Sequence, residues 1–339
     1  MTKIQKILAG LLALQLLAAV IVFWPRNVAG AADVVFFEGV AATDIVRLTI
    51  TDDTGAQVEL ARQGDGWVLA SGGDYPVKAD VLTPVLDKIV ALQSNRLVAR
   101  TAASQRQLQV SPDDFLRQIT LTFQDGRSQT FYLGSATNMR ATHFRLDGQD
   151  DTYLVADLNV YELSANASSW VDTAYVSGVS EDSVTSLTLT NANGVLSFYR
   201  DANQEGESAW TLDGLAEGEL LNAPAFNSLL TRVLNLRLVR PLGVTAEAAY
   251  GLDQPQATVT IVANVEESTQ TYTLAIGARL PDQDDDPSND NYIVKWSESP
   301  YYVAVAPFSV ETLTEHSRTD FVQLPTPEPT PTPEPTPTP

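Results

Sequence analysis

The chain has 339 residues, 44% of them hydrophobic, enough for substantial burial and, by length, for two domains. With 42 Asp+Glu against 21 Lys+Arg its formal charge is −21, a field that repels nucleic acid and anionic headgroups, so no nucleic-acid partner is expected. Having no cysteine, it can form no disulfide, thiolate nucleophile, Cys-ligated metal site or lipidated Cys.

At the start of the chain, after Lys3 and Lys6, residues 7–24 carry no charge, and Gln15 is their one strongly polar member. As a helix of about 18 residues rising about 1.5 Å each, this stretch spans roughly 27 Å, close to the hydrocarbon thickness of a bilayer. Trp24 and Arg26 stand where an interfacial aromatic and a flanking charge belong, and the two lysines favour a cytoplasmic N-terminus. The expectation is a single-pass cell-membrane protein: residues 1–32 form a cytoplasmic stub, transmembrane helix and short linker, and the bulk of the chain is extracytoplasmic. A cleaved signal peptide is the alternative, because Val28-Ala29-Gly30 and Ala29-Gly30-Ala31 offer small residues to a peptidase.

Beyond the linker the sequence repeats itself once. Trp67 recurs as Trp210, Pro112 as Pro255 and Gly134 as Gly277, each pair 143 positions apart. Arg96-Leu97-Val98 matches Arg237-Leu238-Val239 at 141, and Leu48-Thr49-Ile50 matches Leu187-Thr188-Leu189 at 139, with small loop indels taking up the difference. Residues 33–175 and 176–324 are read as two repeat domains.

Each copy opens on strands. Val46, Leu48 and Ile50 alternate with polar residues, Gly55 turns the chain into Val58 and Leu60, and Gly64-Asp65-Gly66 turns it into Trp67 and Leu69. Val81, Leu82, Val85, Leu86, Ile89 and Val90 then fall at helical spacing, with Asp80 as N-cap and Pro84 in the first turn. In the second copy the helix has Asn222 as cap and Phe226, Leu229, Leu230, Val233 and Leu234 as its apolar stripe. More strands follow, then an aromatic strand, and short helices are expected near Asp157 and Pro307. The fold class expected is α+β: two tandem repeats, each an antiparallel sheet with a long helix packed on one face, after an N-terminal transmembrane helix. Residues 325–339, all Pro, Thr and Glu, lack the backbone donors for helix or sheet and read as a disordered, extended tail.

Chemistry is sparsely provided for. The two histidines, His143 and His316, occupy different places in the repeat and read as structural or exposed. The sequence has no G-x-S-x-G, H-E-x-x-H or Walker-type glycine loop, no signal selects a glycosidase-like carboxylate pair, and no cofactor site is expected. The sharpest local feature is the acidic stretch at 282–290. Asp282, Asp284, Asp286 and Asp290 place carboxylates as a calcium loop does, yet Pro287 stands where such loops need Gly, and Ile293 where an EF-hand has its bidentate Glu. A solvated acidic turn is the reading kept, with these four as calcium candidates and no assigned metal site. Trp67 and Trp210, at equivalent positions before the helix, are read as core residues.

The phrase Tyr250-Gly251-Leu252-Asp253-Gln254-Pro255, the Ile276-Gly277 turn, the Trp-x-Leu strands and the doubled strand-then-helix order together resemble the bacterial domain-of-unknown-function family 4340 over residues 44–324. Copy one keeps only Pro112 of that phrase. The resemblance implies an association with ABC-type export systems of the gliding-motility kind and brings over no catalytic residue. The function expected is therefore that of a non-enzymatic accessory or scaffold subunit of an ABC-type envelope transport complex. The alternatives are a calcium-stabilised surface binding module and an envelope hydrolase using paired carboxylates.

Overall fold

The computed structural model describes residues 32–138, 141–201, 209–266, 268–281 and 290–324, together with Gln15. Two antiparallel sheets dominate it. The first contains β1 (Ile45–Asp52), β2 (Gln57–Gln63), β3 (Gly66–Leu69), β4 (Tyr75–Pro76), β5 (Leu97–Ala99), β6 (Arg117–Phe123), β7 (Ser128–Asn138), β8 (Ala141–Leu146) and β9 (Thr152–Ala156). The second contains β10 (Val184–Asn191), β11 (Gly194–Arg200), β12 (Trp210–Leu212), β13 (Arg240–Gly243), β14 (Ala257–Val265), β15 (Ser268–Leu280), β16 (Asn291–Trp296) and β17 (Tyr302–Val305). The strand orders are β4-β3-β2-β1-β6-β7-β8-β9-β5 and β12-β11-β10-β14-β15-β16-β17-β13; with the edge strand β4 set aside, the two run in the same sequence.

The likeness extends to irregularities. Opposite β1 the register slips between Thr122 and Phe123, so Ile45, Leu48 and Ile50 are the buried residues and Val46, expected inward, is only half-buried. The first strand of the second sheet slips between Val184 and Ser186, and there Val184, Leu187 and Leu189 are buried. A bulge inserts one residue and reverses the pleat phase on one side of it, which a strict period of two cannot register. A short 3-10 turn precedes each of these strands, Ala42–Asp44 and Glu181–Ser183.

The helices are α1 (Ala79–Val90), α2 (Ala102–Gln107), α3 (Ala223–Leu234), α4 (Pro307–Glu315) and α5 (Arg318–Phe321). Leu82, Val85, Leu86 and Ile89 of α1, and Phe226, Leu229, Leu230 and Val233 of α3, are buried in the core. The Asn222 side chain caps α3 by accepting from the Ala225 N–H at 3.4 Å. Asp80 lies within the first turn of α1, behind an N-cap at Lys78 that makes no side-chain bond. Pro84 is the sixth residue of that helix, and no helix starts at Asp157, which takes a left-handed φ of 66°.

This architecture corrects the expected class. The described chain is mostly antiparallel β with short helices, and it is not a pair of helix-packed α+β repeats. At 12 residues each, α1 and α3 are about 18 Å long and about 10 Å wide. Strands about 4.8 Å apart make sheets of eight or nine strands far wider than one such helix covers. The remaining inner surface of the first sheet is closed by irregular chain, where Leu158, Leu163 and Trp170 are almost fully buried.

The single-pass location is corrected as well. Among the described residues no helix is long and apolar enough to cross a membrane. The stretch at residues 7–24 that suggested one lies outside the described residues except for Gln15, as does the tail at 325–339.

Candidate ligand clefts at the junction of the sheets

The two sheets are joined by residues 170–175, an extended segment that bonds to both. On one side the Lys78 N–H donates to the Trp170 carbonyl at 2.8 Å and Val171 bridges to Val77. On the other, Tyr175 N–H donates to Leu236 O and Leu238 N–H to Thr173 O, both at 2.9 Å, while Ala174 bridges to Arg237. The extended backbone alternates its bonding sides, which is what lets so few residues lace two bodies together.

Tyr175 anchors this segment. Its buried hydroxyl donates to the Tyr301 carbonyl at 2.6 Å and accepts from the Trp296 N–H at 3.0 Å. Burial pushes its pKa up to about 12, since a phenolate there would lose its hydration. Close by, the rings of Tyr75 and Tyr301 lie 4.6 Å apart at 55°, one from each half of the chain, and the Tyr301 hydroxyl donates to the Asp74 carbonyl at 2.9 Å. Tyr75 is raised above the usual phenol range by burial, with the Asp172 charge adding to it; Tyr301 is raised by burial and then by Asp74.

Glycine makes the closest approach possible. Gly73, at φ 69°, and Gly243, at φ 103°, meet backbone to backbone, and a Cβ on Gly73 would collide with the Gly243 Cα. A Cβ on neighbouring Gly72 would run into the Pro241 ring. This contact brings β13 against the turn Ala70–Gly72, and two clefts open at the junction. One, of about 480 Å³, is lined by Asp52, Gln57, Ser71, Asn166, Arg240 and Pro241 among others. The other, of about 360 Å³, is lined by Tyr75, Lys78, Asp172, Tyr175, Ser177, Glu298 and Tyr301 among others.

The second cleft offers aromatic faces, an exposed ammonium and two exposed carboxylates. Its three phenols stay protonated at neutral pH, so they act as surfaces and hydrogen-bonding groups and supply no base. That suits it to binding.

The residues singled out in the sequence lie elsewhere. Asp282, Asp284 and Asp286 fall outside the described residues; Asp290 is half-buried just ahead of β16 and is engaged in an interaction. Among the described residues no group of three or more His, Cys, Asp or Glu side chains could hold a metal ion. His143 is buried on β8, its Nδ1 2.6 Å from the Ser135 carbonyl oxygen. His316 sits 3.5 Å from Asp320 with its ring against Phe321. Trp67 is buried in the core, and Trp210 packs on Phe226 with ring centroids 4.5 Å apart. The stretch 176–182, which links the two repeat spans, contributes Ser177 to the cleft, while Asp182 belongs to the turn before β10. Tyr75 and Tyr301 were missed. Their signal is a Tyr-Pro pair, Tyr75-Pro76 and Pro300-Tyr301, at positions unrelated by the repeat.

A family model described as a domain of unknown function (DUF4340) matches residues 67–255. No curated protein matches the chain, and no solved structure does. The matched span runs from Trp67 through the Gly251-Leu252-Asp253-Gln254-Pro255 phrase, stopping short of the Ile276-Gly277 turn. With more than half of its length under that model, the chain belongs to the domain of unknown function family 4340.

Proposed function

We propose that this protein is a non-enzymatic accessory or scaffold subunit of an ABC-type transport complex, binding protein partners through the junction of its two sheets. The observation that carries the binding part of this reading is the lacing of both sheets by residues 170–175, which holds the Tyr75–Tyr301 cleft in a fixed shape. A preformed cleft loses little entropy on docking. Family membership supports the transport part, through the resemblance set out above.

The test is direct binding of the full chain to ABC-type permease and ATPase subunits from the same organism. We expect retention of one of them, weakened about tenfold or more by Lys78→Glu combined with Glu298→Lys, two exposed residues of the cleft, and unaffected by Val195→Ser on the exposed face of β11. Failure of the full chain to bind either protein, or turnover of a substrate by the chain alone, would overturn the reading.

A further inference from the structure

The helices α1 and α3 lie 144 positions apart, and the same offset carries on past them. It sets Leu92 on Leu236, whose carbonyls accept from the Phe36 N–H at 3.1 Å and the Tyr175 N–H at 2.9 Å. It also sets Ala99 of β5 on Gly243 of β13, and these pair with the first residues of β9 and β17, Thr152 and Tyr302. β5 and β13 are therefore the same edge strand, with Leu97 in the place of Pro241, three residues beyond the Leu238 that sequence likeness alone selects.

Their surroundings differ. The turn Ala70–Gly72 packs on β13, and Pro241 and Gly243 are buried. On β5, Leu97 and Val98 are 40% and 47% exposed. Val34 and Val35, which pair with Ser94 and Gln93 beside it, are exposed as well. Ala99 is no obstacle to a similar cover, because a Cβ on Gly243 would stand 3.7 Å from the Gly73 Cα, an ordinary contact.

The far end of the chain presents the corresponding cover. In the first copy the turn leads to Val77, which bridges to Val171, and to Lys78, whose N–H donates to the Trp170 carbonyl at 2.8 Å. In the second, Leu221 pairs with Val322, and the Asn222 N–H donates to the Phe321 carbonyl at 2.8 Å. Residues 213–220 thus stand where the covering turn stands, with Glu217 and Leu220 exposed. They include Asp213, Glu217 and Glu219 and no basic residue, whereas exposed Arg96 and Arg100 bracket β5. Arg100 and Glu219 are held by Asp151 and Arg318 of the same chain, while Arg96 and Glu217 make no side-chain bond among the described residues.

We propose that the chain associates head to tail, residues 213–220 of one molecule seating on the β5 edge of the next as Ala70–Gly72 seats on β13 within one. Such a contact is heterologous, so it adds chains in one direction. Pairing of two β5 edges about a twofold axis is disfavoured, since antiparallel alignment on Val98 sets Arg96 against Arg100. The test is sedimentation velocity of the full chain in about 0.15 M salt, where charges more than about 8 Å apart are screened. Arg96→Glu with Leu97→Glu disables the β5 edge, and Glu217→Lys with Leu220→Lys disables the turn; Val98→Arg and Asp213→Lys serve where either pair unfolds. We expect oligomers that grow with concentration up to about 0.1 mM, and either variant to need about tenfold or more higher concentration to form them. An equimolar mixture of the two variants should restore a dimer and nothing larger, because each supplies the end the other lacks. A chain monomeric throughout, oligomers indifferent to either pair of changes, a dimer lost with the β5 changes alone, or folded variants that fail to complement would each overturn the proposal.

Discussion

Two glycines show at single-residue scale what the repeat preserves. A Cβ on Gly134 would run into the Leu108 carbonyl oxygen, and one on Gly277 into the Tyr250 carbonyl oxygen, so in each sheet a crossing backbone lies directly on the strand. Gly134→Ala and Gly277→Ala should each cost about 1–3 kcal/mol, because backbone must shift to make room. Gly66→Ala, where the nearest atom is an ordinary contact away, should change little. Urea midpoints of the three variants decide this. Tyr175 makes a pH prediction. Its folded pKa of about 12 lies above the unfolded phenol value near 10, so the stability it contributes is fully present below about pH 10 and is lost as pH rises toward about 12. The thermal midpoint should fall across that window, and Tyr175→Phe should flatten the fall while lowering the midpoint at neutral pH, having lost its bonds to Tyr301 and Trp296.

Among the elements, α1 and α3 are the most exacting in packing. Leu86 and Leu230 are 4% and 1% exposed in the core, and truncating either to Ala should cost about 2–5 kcal/mol by chemical denaturation, through lost burial and a residual cavity. A cost under about 1 kcal/mol would mean that these helices do not bear on the core. Both helices and the strands β1 to β3 were legible in the sequence, because regular elements write their period into the apolar residues. Residues 157–176 were not. Leu158, Leu163 and Trp170 are buried from chain without a repeat period, so no pattern distinguishes them from surface loop. The weight of β-structure was misjudged for a related reason: a 12-residue amphipathic helix is conspicuous, whereas β4 and β5, of two and three residues, are too short to show alternation. The junction cleft escaped because comparing the copies favours residues they share, and Tyr75, Tyr301, Gly73 and Gly243 act by being unlike their counterparts.

At the scale of the whole molecule, each sheet is two locally connected meanders joined at a central seam, with one further non-local strand added at an edge, β5 beside β9 in the first sheet and β13 beside β17 in the second. In the first sheet that seam is β1 against β6, where Ile50 faces Ile119; in the second it is β10 against β14, where Leu189 faces Val259. The partners in both pairs stand about 70 positions apart, so each seam closes a loop of nearly equal length before its apolar contacts repay the lost chain freedom, a toll that grows only with the logarithm of loop size. Hairpins such as β1–β2 and β14–β15 form across turns of a few residues and face no such barrier. The two central seams are thereby of matched entropic height, and both belong to the non-local β pairings that form slowly. Until a seam closes, the strand faces that α1 and α3 cover are open to other chains, and the interval of greatest aggregation risk is the same for both halves of the protein.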